Sequence, residues 1–257
     1  MVASLALSLL VAFAIVTLGF GVAHFRNRRY DFIDSVWGIL FIGIAWTNVL
    51  IGPTKNALAI MAAFLVTIWG VRLSRHIFVR WLKSAHEDKR YVELRERWPK
   101  RAIGLQVFVR IYILQAILAT IISVPVILFI NAKPVFDEYV LVGVMIWAFG
   151  IGIESLADRQ LREFLRVAQN KGQIMTRGLW SYSRHPNYFG EILIWWGIGI
   201  MGLGQAYGPL GLIGPIVISA LLVFVSGVPL AEKAMASKPG WKEYASRTPV
   251  LIPWPKR

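Results

Sequence analysis

An all-helical bundle that crosses a membrane about seven times is the fold class this sequence predicts, on three observations. Hydrophobic residues occupy 56% of the 257 positions, and mean hydropathy is +0.58. Several apolar runs approach or exceed the ~20 residues a helix needs to cross a bilayer. Basic residues also gather in alternate loops, as they do on the cytoplasmic side of polytopic proteins.

The predicted spans are 2–23, 32–52, 57–78, 104–130, 138–156, 187–204 and 209–230. The first begins apolar, with no basic stretch before it and no small-residue cleavage site after it, so it reads as a retained helix. The second has Asp31 at its start and Asp34 about one turn deeper. Arg75 and His76 close the third, and Arg110, Tyr112 and Gln115 form a polar set in the fourth. The fifth continues into a charged extension, Ala157 to Phe164, before the turn Asn170-Lys171-Gly172. The sixth opens on Pro186, a favourable first helical residue because its missing N–H would have no partner there. Between the third and fourth spans, Tyr91, Leu94 and Trp98 recur at helical spacing among charges, which predicts an interfacial helix. After the seventh, prolines and aromatics from Lys238 to Pro255 predict a segment docked on the domain. No internal repeat divides the chain, so one membrane domain is expected.

With this topology, 26 of the 28 basic residues fall on one face, the exceptions being Lys55 and Lys133. That places the N-terminus outside and the C-terminus in the cytoplasm. The net charge of +14 therefore describes one surface, which anionic membrane lipids attract by ~1 kcal/mol per basic residue. Nucleic acid is excluded as a partner, since the charges are spread over four loops and no binding motif accompanies them. A polyanionic small molecule suits the many arginines, whose planar fork pairs two phosphate oxygens at once. Cysteine is absent, which excludes disulfides, thiolate catalysis and Cys-ligated metal, and no histidine–glutamate metal spacing appears.

The stretch Trp180 to Glu191 concentrates Tyr182, Arg184, His185, Asn187, Tyr188 and Glu191 where a basic loop enters an apolar helix. Charge at a membrane boundary is costly and marks a functional site by default. Together with Gly178-Leu179, the 157–164 extension and the ending from Tyr244 through Arg247 to Pro255, this stretch resembles the C-terminal catalytic region of the steroid 5-alpha-reductase superfamily. Asp34 to Gly38 and Glu87 to Tyr91 extend the similarity over nearly the whole chain. The resemblance is to the bacterial branch of 3-oxo-5-alpha-steroid 4-dehydrogenase-like membrane proteins. Sterol reductases and, more distantly, isoprenylcysteine carboxyl methyltransferases share the Arg-His-Pro string.

The resemblance implies residues 1–103 as N-terminal spans with a basic cytoplasmic loop and 104–257 as a cofactor-binding core, in a bacterial inner membrane. It implies NADPH and hydride transfer to a carbon–carbon double bond of a steroid-, sterol- or isoprenoid-like substrate drawn from the bilayer. A methyltransferase using S-adenosylmethionine, or a non-catalytic lipid-binding homologue, is the alternative. Asn187 and Glu191, at i and i+4, share a helix face suited to a carboxamide. Arg184 and His185 are expected at phosphate level, and Arg75 and Arg247 are further candidates for binding the cofactor. Arg159 and Arg162 are candidates for a phosphate clamp, and Tyr182, Tyr188 and Tyr244 offer rings or hydroxyls to the nucleotide. No glycine-rich strand-to-helix turn is present, so helices and loops must hold the cofactor. The Gln-Glu pair of the steroid branch is also absent. The proton donor is therefore sought at Asp34, with Tyr112 of the fourth span as the second catalytic candidate.

Overall fold

The computed structural model describes residues 1–53 and 56–255, and all regular structure among them is helical. Lys55, Lys256 and Arg257, which entered the charge count, lie outside the described residues. Six helical stretches are long and apolar enough to cross a membrane: Val2–Arg26, Phe32–Ile51, Ala57–Lys83, Ile103–Ile122, Glu138–Arg166 and Gly208–Met235. The protein is a polytopic helical membrane protein. It divides into two compact units, Met1–Phe136 with Gln205–Gly211, and Asp137–Gly204 with Leu212–Arg257.

The first unit contains α1 (Val2–Val22), α2 (Phe32–Ile51), α3 (Ala57–Lys83), α4 (Lys89–Glu96), α5 (Ile103–Val107), α6 (Leu114–Ile122) and α7 (Val124–Asn131). α1 is apolar on every side, yet only Ser4, Ser8, Ala12, Val16 and Gly19, spaced three or four apart, are buried. That stripe of small residues lets a neighbouring backbone approach, the usual packing mode where lipid supplies no hydrophobic drive. Polar side chains join the ends of α1, α2 and α7: Asn48 donates to Ser8 Oγ at 2.9 Å, and Asn131 donates to Asn48 Oδ1 at 2.9 Å. Two π-helical turns, Ala23–Asn27 and Phe108–Ile113, widen α1 and the α5–α6 stretch. The predicted fourth span is broken at Ser123, after which α7 begins with Pro125 as its second residue.

The second unit contains α8 (Glu138–Arg166), α9 (Pro186–Met201), α10 (Ile213–Ala220), α11 (Val228–Met235) and α12 (Trp241–Arg247). Asp137 caps α8 by accepting from Val140 N at 2.8 Å. α8 and α9 meet along Gly143 and Gly150 on one helix and Gly190 and Gly197 on the other, a seven-residue repeat on both sides. A Cβ at Gly150 would stand 2.8 Å from both Gly190 O and Ile194 N.

The predicted span 187–204 forms a shorter helix, and the segment still runs along α8, from Glu154 beside Gly190 to Asp137 beside Gly204. α9 has 16 residues, about 24 Å at 1.5 Å per residue, against ~30 Å of hydrocarbon. Its Gly190, Ile194, Trp195, Gly197 and Ile198 are buried, so its apolarity reflects packing against α8 and α10. Hydropathy alone does not separate a buried core helix from a lipid-facing one.

Candidate functional site

The second unit builds a site around the Arg184-His185 turn. After α8 the chain turns at Gly178–Ser181, pinned from beneath. Gln160 Oε1 accepts from Leu179 N at 2.9 Å, and Trp180 Nε1 donates to Ala157 O at 3.1 Å. The C-terminal strap fixes the other side. Arg184 N donates to Pro249 O at 2.9 Å, Ser183 Oγ to Leu251 O at 2.7 Å, and Trp254 N to Tyr182 O at 3.0 Å. The composition of the tail predicted docking, and these bonds show what it docks on.

Side chains complete the brace. Arg184 Nη1 donates to Ala245 O at 2.6 Å, and its guanidinium lies 5.7 Å from the Trp241 ring. Its Nε is 2.8 Å from Glu232 Oε1, an ion pair approached too obliquely for the N–H to donate. His185 Nε2 is 3.3 Å from the same Glu232 oxygen, and its ring stacks on Tyr188 at 5.3 Å. Arg184 also borders an open groove of about 500 Å³, with Ser246, Arg247, Thr248 and Trp254 on its walls. Arg247 keeps an ion pair with Glu243 at 3.0 Å.

The expected face of α9 is present. Glu191 is buried one turn beyond Asn187, and Asn187 Oδ1 is buried while accepting no hydrogen bond. Other candidates fall elsewhere. Tyr244 is buried and donates its hydroxyl to Trp180 O at 2.6 Å, so that hydroxyl braces the turn instead of facing outward. Burial pushes its phenol up, which keeps it a donor. Tyr182 is exposed, and so are Arg159 and Arg162 on the last turns of α8; neither arginine lines the groove. Arg75 belongs to the first unit, where it is exposed on α3.

Burial holds the His185 imidazole below its ordinary value, and the Glu232 carboxylate offsets only part of that. The sign follows from linkage. The unfolded chain binds a proton near pH 6.5 that the folded site resists, so stability is lost as pH falls below about 6.5 towards the folded value. Histidine-selective NMR should find the His185 midpoint below 6.5, and lower still in Glu232→Gln. A midpoint above 6.5 would mean that the ion pair outweighs burial.

The first unit gathers a second polar cluster. Asp34 is bonded from the 90–91 pair of α4. Its Oδ1 accepts from the Tyr91 hydroxyl at 2.5 Å, and its Oδ2 from Arg90 at 3.1 Å. Arg90 also binds Asp88, and Arg95 pairs with Glu87, which accepts from Tyr30 N at 2.8 Å. Asp31 accepts from Trp81 Nε1 at 3.0 Å and Asp88 N at 2.9 Å. These bonds fold the 84–96 segment over the start of α2. Tyr91 therefore turns inward, unlike the exposed Leu94 with which its spacing groups it. Burial, and next the Asp34 charge, push the Tyr91 phenol well up. Tyr112 is buried and donates to Tyr30 O at 3.1 Å, with Phe20 edge-on at 5.3 Å.

Sequence reasoning missed Tyr91, Glu232 and Glu154. Glu154 is a carboxylate only 2% exposed within the apolar run of α8, which intramembrane charge could have flagged. Glu232 gave no such cue, because its role depends on α11 meeting the Arg184 turn.

The arrangement defines a class: a polytopic helical membrane protein whose short, buried helix opens on an arginine-histidine-proline turn held by a docked C-terminal strap. Within that class the chain belongs to the family described as Protein of unknown function (DUF1295), whose model matches residues 20–248. It is also similar to Uncharacterized protein C594.04c of Schizosaccharomyces pombe. The two are 23% identical over 278 residues, spanning 95% of this chain and 78% of that protein.

Proposed function

We propose that the protein is an NADPH-dependent reductase of the steroid 5-alpha-reductase type, saturating a carbon–carbon double bond in a lipophilic substrate. The observation that carries this reading is Asn187 Oδ1, a buried acceptor with no donor, on the same face as buried Glu191. Buried acceptors without partners are rare and ask for a ligand or a water. A carboxamide N–H₂ supplies two donors for that oxygen and the carboxylate. Arg184 and Arg247 at the groove suit phosphates, and Trp254 offers a flat surface to a base. The donor set thus fits a nicotinamide dinucleotide, which when bound supplies the hydride.

Hydride transfer leaves a carbanion or enolate that a proton must quench. The Tyr91 hydroxyl is committed elsewhere, since its one proton is donated to Asp34 Oδ1 at 2.5 Å within the first unit. In this reading the basic loops face the cytoplasm of a bacterial inner membrane, and the substrate enters from the bilayer.

The test is thermal stabilisation of detergent-purified protein by NADPH, NADH or S-adenosylmethionine. NADPH should stabilise it, and Arg184→Ala and Asn187→Ala should each weaken that binding by about 10- to 100-fold, as for loss of one charged or buried hydrogen bond. Stabilisation by S-adenosylmethionine alone would replace the reductase reading with methyl transfer.

A further inference from the structure

At the basic end of the first unit, the carboxylates Asp31, Asp34, Glu87 and Asp88 are all engaged by Arg29, Arg90 and Arg95. The turn that follows is different. Arg97, Lys100 and Arg101 are exposed, and no acidic residue occurs between Arg97 and Phe136. Nor is the turn a loose basic run. Gln106 Nε2 donates to Pro99 O at 2.8 Å and to Arg101 O at 2.6 Å, and Ala102 takes a left-handed conformation with φ 46° to enter α5. Arg110 lies 4.9 Å over the Trp98 ring, adding a fourth cation and fixing an indole beside the turn. Beyond Arg101, Leu105 on α5 and Val109 in the π-helical turn that continues it are 63% and 49% exposed.

We propose that the 97–101 turn, with Arg110, is a binding site for the headgroup of an anionic phospholipid, whose acyl chain lies along Leu105 and Val109. The cations are held at the point where α5 enters the membrane, and the adjoining Leu105 and Val109 are apolar and uncovered. A soluble phosphate matches only the first half of this arrangement; a lipid matches both.

Full-length protein in neutral detergent is titrated with dioleoyl phosphatidylglycerol, dioleoyl phosphatidylcholine and soluble glycerol phosphate, and bound lipid is counted by native mass spectrometry. Phosphatidylglycerol should bind in preference to phosphatidylcholine. The combined variant Arg97→Gln, Lys100→Gln, Arg101→Gln should weaken it by on the order of 100-fold, as three cations near a headgroup would predict. A control losing three exposed charges of the second unit, Arg166→Gln, Lys171→Gln, Arg177→Gln, should bind as the native chain does. Equal loss in the control, no preference between the lipids, or equal binding of glycerol phosphate would each overturn the proposal. Because the native chain is compared with two lipids of identical chains, a variant that fails to fold still leaves the preference measurable.

Discussion

Gly150→Leu is expected to prevent accumulation of folded protein, whereas Gly152→Leu, two residues along the same helix, leaves it intact. At Gly150 the first added carbon meets Gly190 O and Ile194 N at 2.8 Å and the Leu193 Cβ at 2.9 Å. The first two of these are main-chain atoms, which cannot swing aside as a long side chain can. At Gly152 nothing lies within 4 Å. Overpacking in a close-fitted core costs about 1–3 kcal/mol and occasionally more, so Gly150→Ala should already lower the unfolding temperature. Leucine would have to part α8 from α9, and with them Gly190 and the helix carrying Asn187 and Glu191. Size-exclusion profiles and thermal unfolding of the purified variants decide the matter. Similar behaviour of the two leucine variants would show that the α8–α9 seam is not the close contact described.

Tyr91→Phe should destabilise the purified protein by about 1–3 kcal/mol, the cost of taking a hydrogen-bond donor away from a buried carboxylate. The ring stays buried and only the hydroxyl bonded to Asp34 is removed, so the overall fold should survive. Asp34→Asn keeps an acceptor for that hydroxyl and removes the charge that pairs with Arg90 at 3.1 Å, so it should cost less than Asp34→Ala, which removes both contacts. Thermal unfolding of the variants, beside their NADPH binding, is the measurement. An unchanged unfolding temperature in Tyr91→Phe would show that this bond does not hold the 84–96 segment to α2, and loss of NADPH binding without loss of stability would give the cluster a role beyond the fold.

The site was legible where function leaves an unusual composition. Asn187 and Glu191 stood out because polar groups entering an apolar helix need a reason, and the arginines because that side of the protein is basic. Tyr91 stood out less, since its spacing with Leu94 and Trp98 also suits an interfacial helix. Only the ion pairs of Arg90 and Arg95 with Asp34, Asp88 and Glu87 turn it inward. Tyr244 was legible as an aromatic near the site, but not as a brace, because its hydroxyl is bonded to a carbonyl 64 residues away. The six long apolar helices followed from hydropathy, while the packing of α9 against α8 and α10 did not, because hydropathy carries no sign of whether a helix's partners are protein or lipid.

By itself the sequence determined the helical membrane class and the basic asymmetry, because the cost of exposing main-chain polar groups and charges to hydrocarbon acts on each segment in turn. The tertiary structure alone decided which cations are neutralised by carboxylates, which hydroxyls are already bonded, and which apolar helix is enclosed. Those outcomes depend on distances between residues far apart in the chain, where ion pairs and hydrogen bonds act over a few ångströms, and local composition carries no record of them.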